Sequence, residues 1–254
     1  MKRLVGFLAL GVLLSFSAVQ AGSDKEFFNG KDLTGWEGLI DEFWSVKDGA
    51  IVGSGGDKTV PFNTFLCSKR KYKDFELTFQ IRLKAGKGNS GVQIRSFIEE
   101  KNKKKFAVTG PQCDIGEGYW GCLFNEGLGL IKQASWEIGD RKVKEGQFND
   151  YYIRCVGKHV TIKVNDVTTV DDRFPQLPEE GIIAWQLHAG KPMSVTFRNI
   201  EFKELVRPVT LFNGDMTGWI KEGGYAKTWE ARDGELIGTA TGYLKSGFIL
   251  SPKS

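Results

Sequence analysis

From Phe75 to Leu83 apolar and polar residues alternate without a break, reading Phe75-Glu-Leu-Thr-Phe-Gln-Ile-Arg-Leu83. A period of two belongs to a strand with one face on a core and the other in solvent. Tyr151 to Val156, Val160 to Val164 and Ser194 to Phe202 behave the same way. Between such runs, Lys47-Asp48-Gly49 and Val156-Gly157-Lys158 read as hairpin turns, because glycine takes positive φ without steric cost. No segment sustains a 3.6-residue period. Many short strands and a chain with 32 glycines predict an all-β sandwich or jelly roll.

The pattern also repeats. Phe28-Asn-Gly-Lys-Asp-Leu-Thr-Gly-Trp36 returns as Phe212-Asn-Gly-Asp-Met-Thr-Gly-Trp219, and Trp44-Ser-Val-Lys-Asp-Gly-Ala-Ile-Val-Gly53 as Trp229-Glu-Ala-Arg-Asp-Gly-Glu-Leu-Ile-Gly238. Phe65-Leu-Cys-Ser-Lys69 corresponds to Phe248-Ile-Leu-Ser-Pro252. A tail of this size cannot close a sandwich of its own. Residues 207–254 are therefore expected to be the truncated start of a second copy, with the boundary near Val206-Arg207-Pro208, where proline ends a strand.

The first residues follow another rule. Lys2 and Arg3 precede an apolar stretch from Leu4 to Val19, and Val19-Gln20-Ala21 places small residues at cleavage offsets. This predicts a signal peptide over 1–21, an exported product and a main domain over 22–206. No other apolar run approaches membrane-spanning length.

Charge and cysteine content narrow the function. The net charge of +4 falls to +2 without Lys2 and Arg3, which is no footprint for nucleic acid. Lys101, Lys103, Lys104 and Lys105 sit beside Glu99 and Glu100 and read as a solvated loop. Cys67, Cys113, Cys122 and Cys155 allow three disulfide pairings or buried free thiols. No CxxC or His-rich spacing suggests zinc, and no metal or cofactor is indicated. Loop oxygens from Asp171 and Asp172 could hold calcium, although a solvated turn explains them as well.

Three runs carry the candidate chemistry. In Gly91-Val-Gln-Ile-Arg95, alternation turns Val92 and Ile94 one way, and Gln93 and Arg95 the other. In Gln112-Cys-Asp-Ile115, Gln112 and Asp114 share a face. In Ile183-Ala-Trp-Gln-Leu-His188, Gln186 and His188 do so with Ala184. Amide, guanidinium and carboxylate groups suit the hydroxyls of a sugar. Trp120 or Tyr119 would supply a ring platform, Asn89 would stand at the rim, and Glu126 would add a carboxylate near Asp114 and Glu117. His188 is a possible acid or base, and His159 reads as a hairpin-end residue. Gly116-Glu-Gly-Tyr-Trp-Gly121 has no following helix and no Lys-Ser/Thr pair, so a phosphate loop is not indicated. No Gly-x-Ser-x-Gly elbow is present.

These residues resemble a family. Phe28-Asn-Gly-Lys-Asp-Leu-Thr-Gly-Trp36, Trp44-x-Val-x-Asp-Gly49, Asp74-Phe-Glu-Leu77 and Asn89-Ser-Gly-Val-Gln-Ile-Arg95 come in the order seen in 3-keto-disaccharide hydrolase domains. Gln112-x-Asp-Ile-Gly116, Trp120-Gly-x-Leu123, Phe148-Asn-Asp150, Asn165, Gly181-Ile-Ile-Ala-x-Gln-Leu-His188 and Phe197-Arg-Asn-Ile200 continue it. The resemblance implies a concanavalin-like jelly roll of two antiparallel sheets with sugar on the concave sheet. It also implies cleavage of glycosides oxidised at C3. On that basis Arg95 would stabilise an oxyanion and Asp114 or His188 would be base or acid. Asn89, Gln93, Gln112, Trp120, Glu126 and Gln186 would contact the saccharide. Two other readings fit the same pattern: a non-catalytic carbohydrate-binding module, and a protein-binding surface module. Jelly rolls serve all of these.

Overall fold

A computed structural model describes residues 27–84, 88–99, 106–126, 129–134 and 142–205 of the first unit. In the second it describes residues 212, 214–217, 219–222, 229–233, 235–238 and 248–250. The units divide as Met1–Val206 and Arg207–Ser254. The expected signal peptide and the lysine run Lys101–Lys105 lie outside the described residues.

The first unit is almost entirely strand. Its strands begin with β1 (Trp36–Glu37), β2 (Trp44–Lys47), β3 (Ala50–Ser54), β4 (Thr64–Ser68) and β5 (Phe75–Leu83). They continue with β6 (Asn89–Ile98), β7 (Val108–Gly116), β8 (Leu123–Glu126), β9 (Gly129–Lys132) and β10 (Asn149–Val156). Last come β11 (His159–Val164), β12 (Val167–Arg173), β13 (Ile182–Leu187) and β14 (Ser194–Glu204). One short helix, α1 (Ile40–Phe43), precedes β2. Two seven-stranded antiparallel sheets result, ordered β1-β4-β13-β6-β7-β8-β9 and β12-β11-β10-β5-β14-β3-β2. This is the jelly-roll sandwich expected from the alternation.

The core follows from that alternation. Leu77, Phe79 and Ile81 of β5 meet Tyr151, Ile153 and Cys155 of β10 on the inner face of one sheet. Val92, Ile94, Cys113, Ile115, Ile183, Trp185 and Leu187 come from the other. Trp185 is fully buried between the sheets, edge-on to Phe79 at 5.2 Å and 4.5 Å from Phe197. Each such ring pair adds about 0.5–1.5 kcal/mol beyond burial. All four cysteines are free and buried. Burial pushes the thiols of Cys67 and Cys113 up, and that of Cys155 to about 12.

Several family-like motifs fix the loop that enters β10. Asn149 holds its loop by accepting from Lys144 N at 2.7 Å and donating to Gln147 O at 3.0 Å. Asn165 donates to Asn149 at 2.8 Å. The guanidinium of Arg198 lies 3.5 Å over the Phe148 ring, pinning the loop to β14.

The repeat extends to register. In the second unit β15 (Ile220–Glu222) pairs antiparallel with β18 (Phe248–Leu250), and β16 (Trp229–Arg232) with β17 (Glu235–Gly238). Trp44 faces Gly53 and Trp229 faces Gly238, with Asp48 and Asp233 both at positive φ in the turns. A Cβ on Gly53 would come 2.7 Å from the Trp44 ring, and one on Gly238 2.9 Å from the Trp229 ring. Glycine is needed here because an indole lies across the neighbouring strand. The Asx turn recurs too: Thr34 N donates to Asp32 at 2.9 Å and Thr217 N to Asp215 at 2.7 Å.

Candidate functional site

The sheet that contains β13, β6, β7 and β8 turns one face away from the main core. Two rows cross it. Antiparallel register aligns Cys67, Ala184, Gln93, Gln112 and Phe124 side by side. The next row pairs Phe65 with Gln186, and Gly91 with Asp114. Directly opposite residues share a face, so four of the predicted polar groups converge there.

They form a continuous hydrogen-bonded chain. Gln93 Nε2 donates to Gln112 Oε1 at 2.7 Å. Gln112 Nε2 lies 3.3 Å from both Asp114 Oδ1 and Gln186 Oε1. Gln186 Nε2 reaches Glu126 Oε2 at 3.4 Å, and Asn63 Nδ2 donates to Glu126 Oε1 at 3.0 Å. Asn63 is itself fixed, its Oδ1 accepting from Ala189 N at 2.9 Å. In a flat sheet β8 would stand about 14 Å from β13, three strands away. The contact between Glu126 and Gln186 therefore means that the sheet curls over this face and makes it a groove.

Gly91 makes the packing possible. A Cβ there would come 2.5 Å from Gln112 Cδ, so the glutamine lies flat across β6 only because residue 91 lacks a side chain.

Burial sets the electrostatics. Asp114 is 5% exposed, and loss of water raises its carboxyl to about 7. Hydrogen bonds from Ile115 N and Gln112 pull it down, and the charge of Glu126 pushes it further up. Tyr151, from the opposite sheet, donates its hydroxyl to the Asp114 carbonyl at 2.9 Å and fixes the backbone. His188 lies just past β13, with Nδ1 at 2.7 Å from Ala189 O. A ring nitrogen facing a carbonyl carries a proton, so in the neutral form of the ring Nε2 would be the acceptor. Asn89 stands at the far end of β6, its amide against Gly116.

Two predicted site residues are elsewhere, and a third lies beneath the site. Arg95 does not share the face of Gln93. It has φ of 48° at a bulge between Gln93 and Phe97, and this turns its side chain off the groove. Its guanidinium is bound to Asp74 at 2.7 Å and to the carbonyls of Lys73, Gly157 and Pro178. With four of its five N–H donors bound and 1% exposure, Arg95 is closed off from an oxyanion in the groove. Trp120 is no ring platform either, since its indole is buried in the main core. Gln93 is on the right face but wholly buried beneath it, so it supports the site rather than touching a sugar. Asp171 and Asp172 are taken up by Thr161 and His159, and by Lys132 and Arg173 N.

Sequence reasoning missed Asn63, Phe124 and Phe65. The last two had a signal. Leu123 faces the core, so alternation along Leu123-Phe-Asn-Glu126 puts Phe124 with Glu126. Register then sets the half-buried Phe124 beside Gln112, and the buried Phe65 beside Gln186. Asn63 had none, because its partners come from β8 and from the segment after β13.

A curled jelly-roll sheet with carboxylates, amides and an aromatic ring in its groove defines a carbohydrate-active domain. The chain belongs to the 3-keto-alpha-glucoside-1,2-lyase-like domain family, whose model matches residues 23–203. No curated protein matches it. Among solved structures it is similar to a provisional glycosyl hydrolase from Parabacteroides distasonis ATCC 8503. That match has a TM-score of 0.52 and 21% identity, covering 71% of this chain and 93% of the other. It is also similar to the carbohydrate binding module CBM66 from Bacillus subtilis, with TM-score 0.50 and 15% identity over 67% and 96% of the two chains. A Bacillus subtilis protein with a galectin-like fold gives TM-score 0.52 and 11% identity, over 69% and 92%. At these identities the likeness is one of fold.

Proposed function

We propose that this protein is an exported enzyme that cleaves glycosides already oxidised at C3, in the groove of the curled sheet. The observation that supports this most directly is the joining of Asp114 and Glu126 by one amide chain, with the Asp114 carboxyl raised to about 7. A group that titrates near neutrality exchanges protons at working pH. The pattern of residues 1–21 supports export, and the shared turns and registers support residues 207–254 as the start of a second similar domain.

A C3 ketone acidifies the proton on C2. A base removes that proton, the electron pair forms the C1=C2 bond of an enol system, and the bond from C1 to the leaving oxygen breaks. The leaving oxygen takes a proton from an acid. Water then adds, its hydroxyl to C1 and a proton to C2. Asp114, Glu126 and Nε2 of His188 are the proton-handling groups available. Asn63, Asn89, Gln112 and Gln186 orient hydroxyls and carboxylates, and Phe124 offers its ring to a sugar face. Arg95 has no part in this.

Incubating the purified protein with 3-keto-trehalose, 3-keto-lactose and their unoxidised parents, and measuring released hexose, tests the reading. Cleavage of the keto sugars alone is expected. The fold likeness to a carbohydrate binding module supports a second reading, a non-catalytic sugar-binding domain. Saturable binding without cleavage of any of the four would establish that one instead.

A further inference from the structure

The groove amides are not free to point either way, and Gln93 sets their sense. In the arrangement above its oxygen accepts from Ser96 Oγ at 2.7 Å. That same oxygen stands 3.1 Å from the carbonyl oxygens of both Gly110 and Pro111. Neither carbonyl can donate. Gln93 is wholly buried, so no bulk water relieves the contact, and an unmet buried polar group costs about 1–3 kcal/mol. Turning the amide over puts its NH2 there instead, with Ser96 Oγ, Gly110 O and Pro111 O all within reach of its two protons.

That turn passes along the chain. The Gln93 oxygen now faces Gln112 at 2.7 Å, so Gln112 must present its own NH2. Its oxygen then points the other way, 3.3 Å from Asp114 Oδ1. Two acceptors that close repel, unless the carboxyl carries a proton and donates it. Gln186 either turns to donate to the same oxygen, which brings its own oxygen to 3.4 Å from Glu126 Oε2, or keeps its contact with Glu126, which leaves its oxygen 3.3 Å from that of Gln112. Asn63 holds Glu126 in either case. The need for a proton on Asp114 is the same whichever Gln186 does.

We propose that Gln93 is a positioning residue that holds Asp114 in its protonated form, so that Asp114 is the general acid of the site. The role rests on the elimination reading above. The base is then another group, Glu126 or Nε2 of His188. Burial of Asp114 favours the neutral acid independently. One contact opposes it, since Ile115 N donates to Asp114 Oδ1 at 3.1 Å and favours the charged form, but burial is the larger effect. On its own strand lie Gln112 and the Cys113 thiol, and β6 brings only Gly91 opposite. From β8 comes Glu126, an acid that disfavours a second negative charge, and Cys122 precedes that strand. From β10 comes the Tyr151 hydroxyl. Among the described residues no cation is among the causes acting on Asp114.

A carboxyl titration reads this without any sugar. The purified protein, labelled with 13C at aspartate carboxyls, is followed by NMR between about pH 4 and pH 9, and Asp114→Asn identifies the signal. A midpoint near 7 is expected in the wild type. Gln93→Met removes the demand on Gln112 and should lower that midpoint by at least about one pH unit. A wild-type midpoint below about 5, or one unmoved by Gln93→Met, would overturn the proposal. Should Gln93→Met not fold, Asp114→Asn decides. Its NH2 donates where the acid did, so its melting temperature at pH 6 should match the wild type, and a much lower one overturns the proposal. If Asp114 titrates as expected and no keto sugar is cleaved, the elimination reading fails while the placement of the proton stands.

Discussion

Asp114 and Arg95 are both ionisable and both buried, and alternation along their runs placed them with one set of polar groups, yet the structure gives them opposite tasks. Asp114 keeps a raised carboxyl, about 7 against an unperturbed 3.8. The native state therefore binds more protons than the unfolded chain between those values, and stability falls as pH rises through that window. The loss between pH 5 and pH 8 should be on the order of 2 kcal/mol. Urea unfolding at both pH values checks it, with Asp114→Asn flat over the same range. Arg95 instead closes a buried ion pair. Arg95→Met removes the cation paired with the buried Asp74 carboxylate and should cost about 3–5 kcal/mol by urea unfolding. An unchanged midpoint would mean that the pair contributes nothing. The sequence reading gave Arg95 an oxyanion to stabilise, and the bound guanidinium reverses that expectation.

At the scale of elements, strand periodicity was legible. The run Phe75–Leu83 is β5, residue for residue, with its odd positions in the core. The polar faces of β7 and β13 were legible too, because both run regularly through the site. Along β6 the same rule failed at Arg95. The bulge is stabilised by partners just before β5, on the β10–β11 turn and on the segment before β13. Nothing within Gly91-Val-Gln-Ile-Arg95 announces them. Gly91 shows the reverse case, a residue that reads as an ordinary turn exit and is fixed by a side chain from the next strand. Gly91→Ala should displace Gln112 and weaken binding of a keto sugar at least about tenfold by calorimetry, a loss of about 1.4 kcal/mol. Wild-type affinity would show that Gln112 can lie elsewhere.

At the scale of the whole molecule, the first unit has its own two sheets and its own core. A chain ending at Val206 should therefore keep the first unit's thermal transition to within about 2 °C, measured by calorimetry. A larger fall would show that the tail supports that unit.

By itself the sequence determined the strands, the two-faced pattern, the repeat and the site members Asn89, Gln93, Gln112, Asp114, Glu126, Gln186 and His188. Those depend on alternation and short-range turns, which are local properties of a chain. Only the tertiary structure decided that Arg95 leaves the face, that Trp120 is core, that Asn63 and Phe124 join the groove, and that a buried amide chain governs Asp114. Each of these depends on which distant strand lies alongside and on how far the sheet curls, and burial, with the protonation it imposes, exists only once that packing is complete.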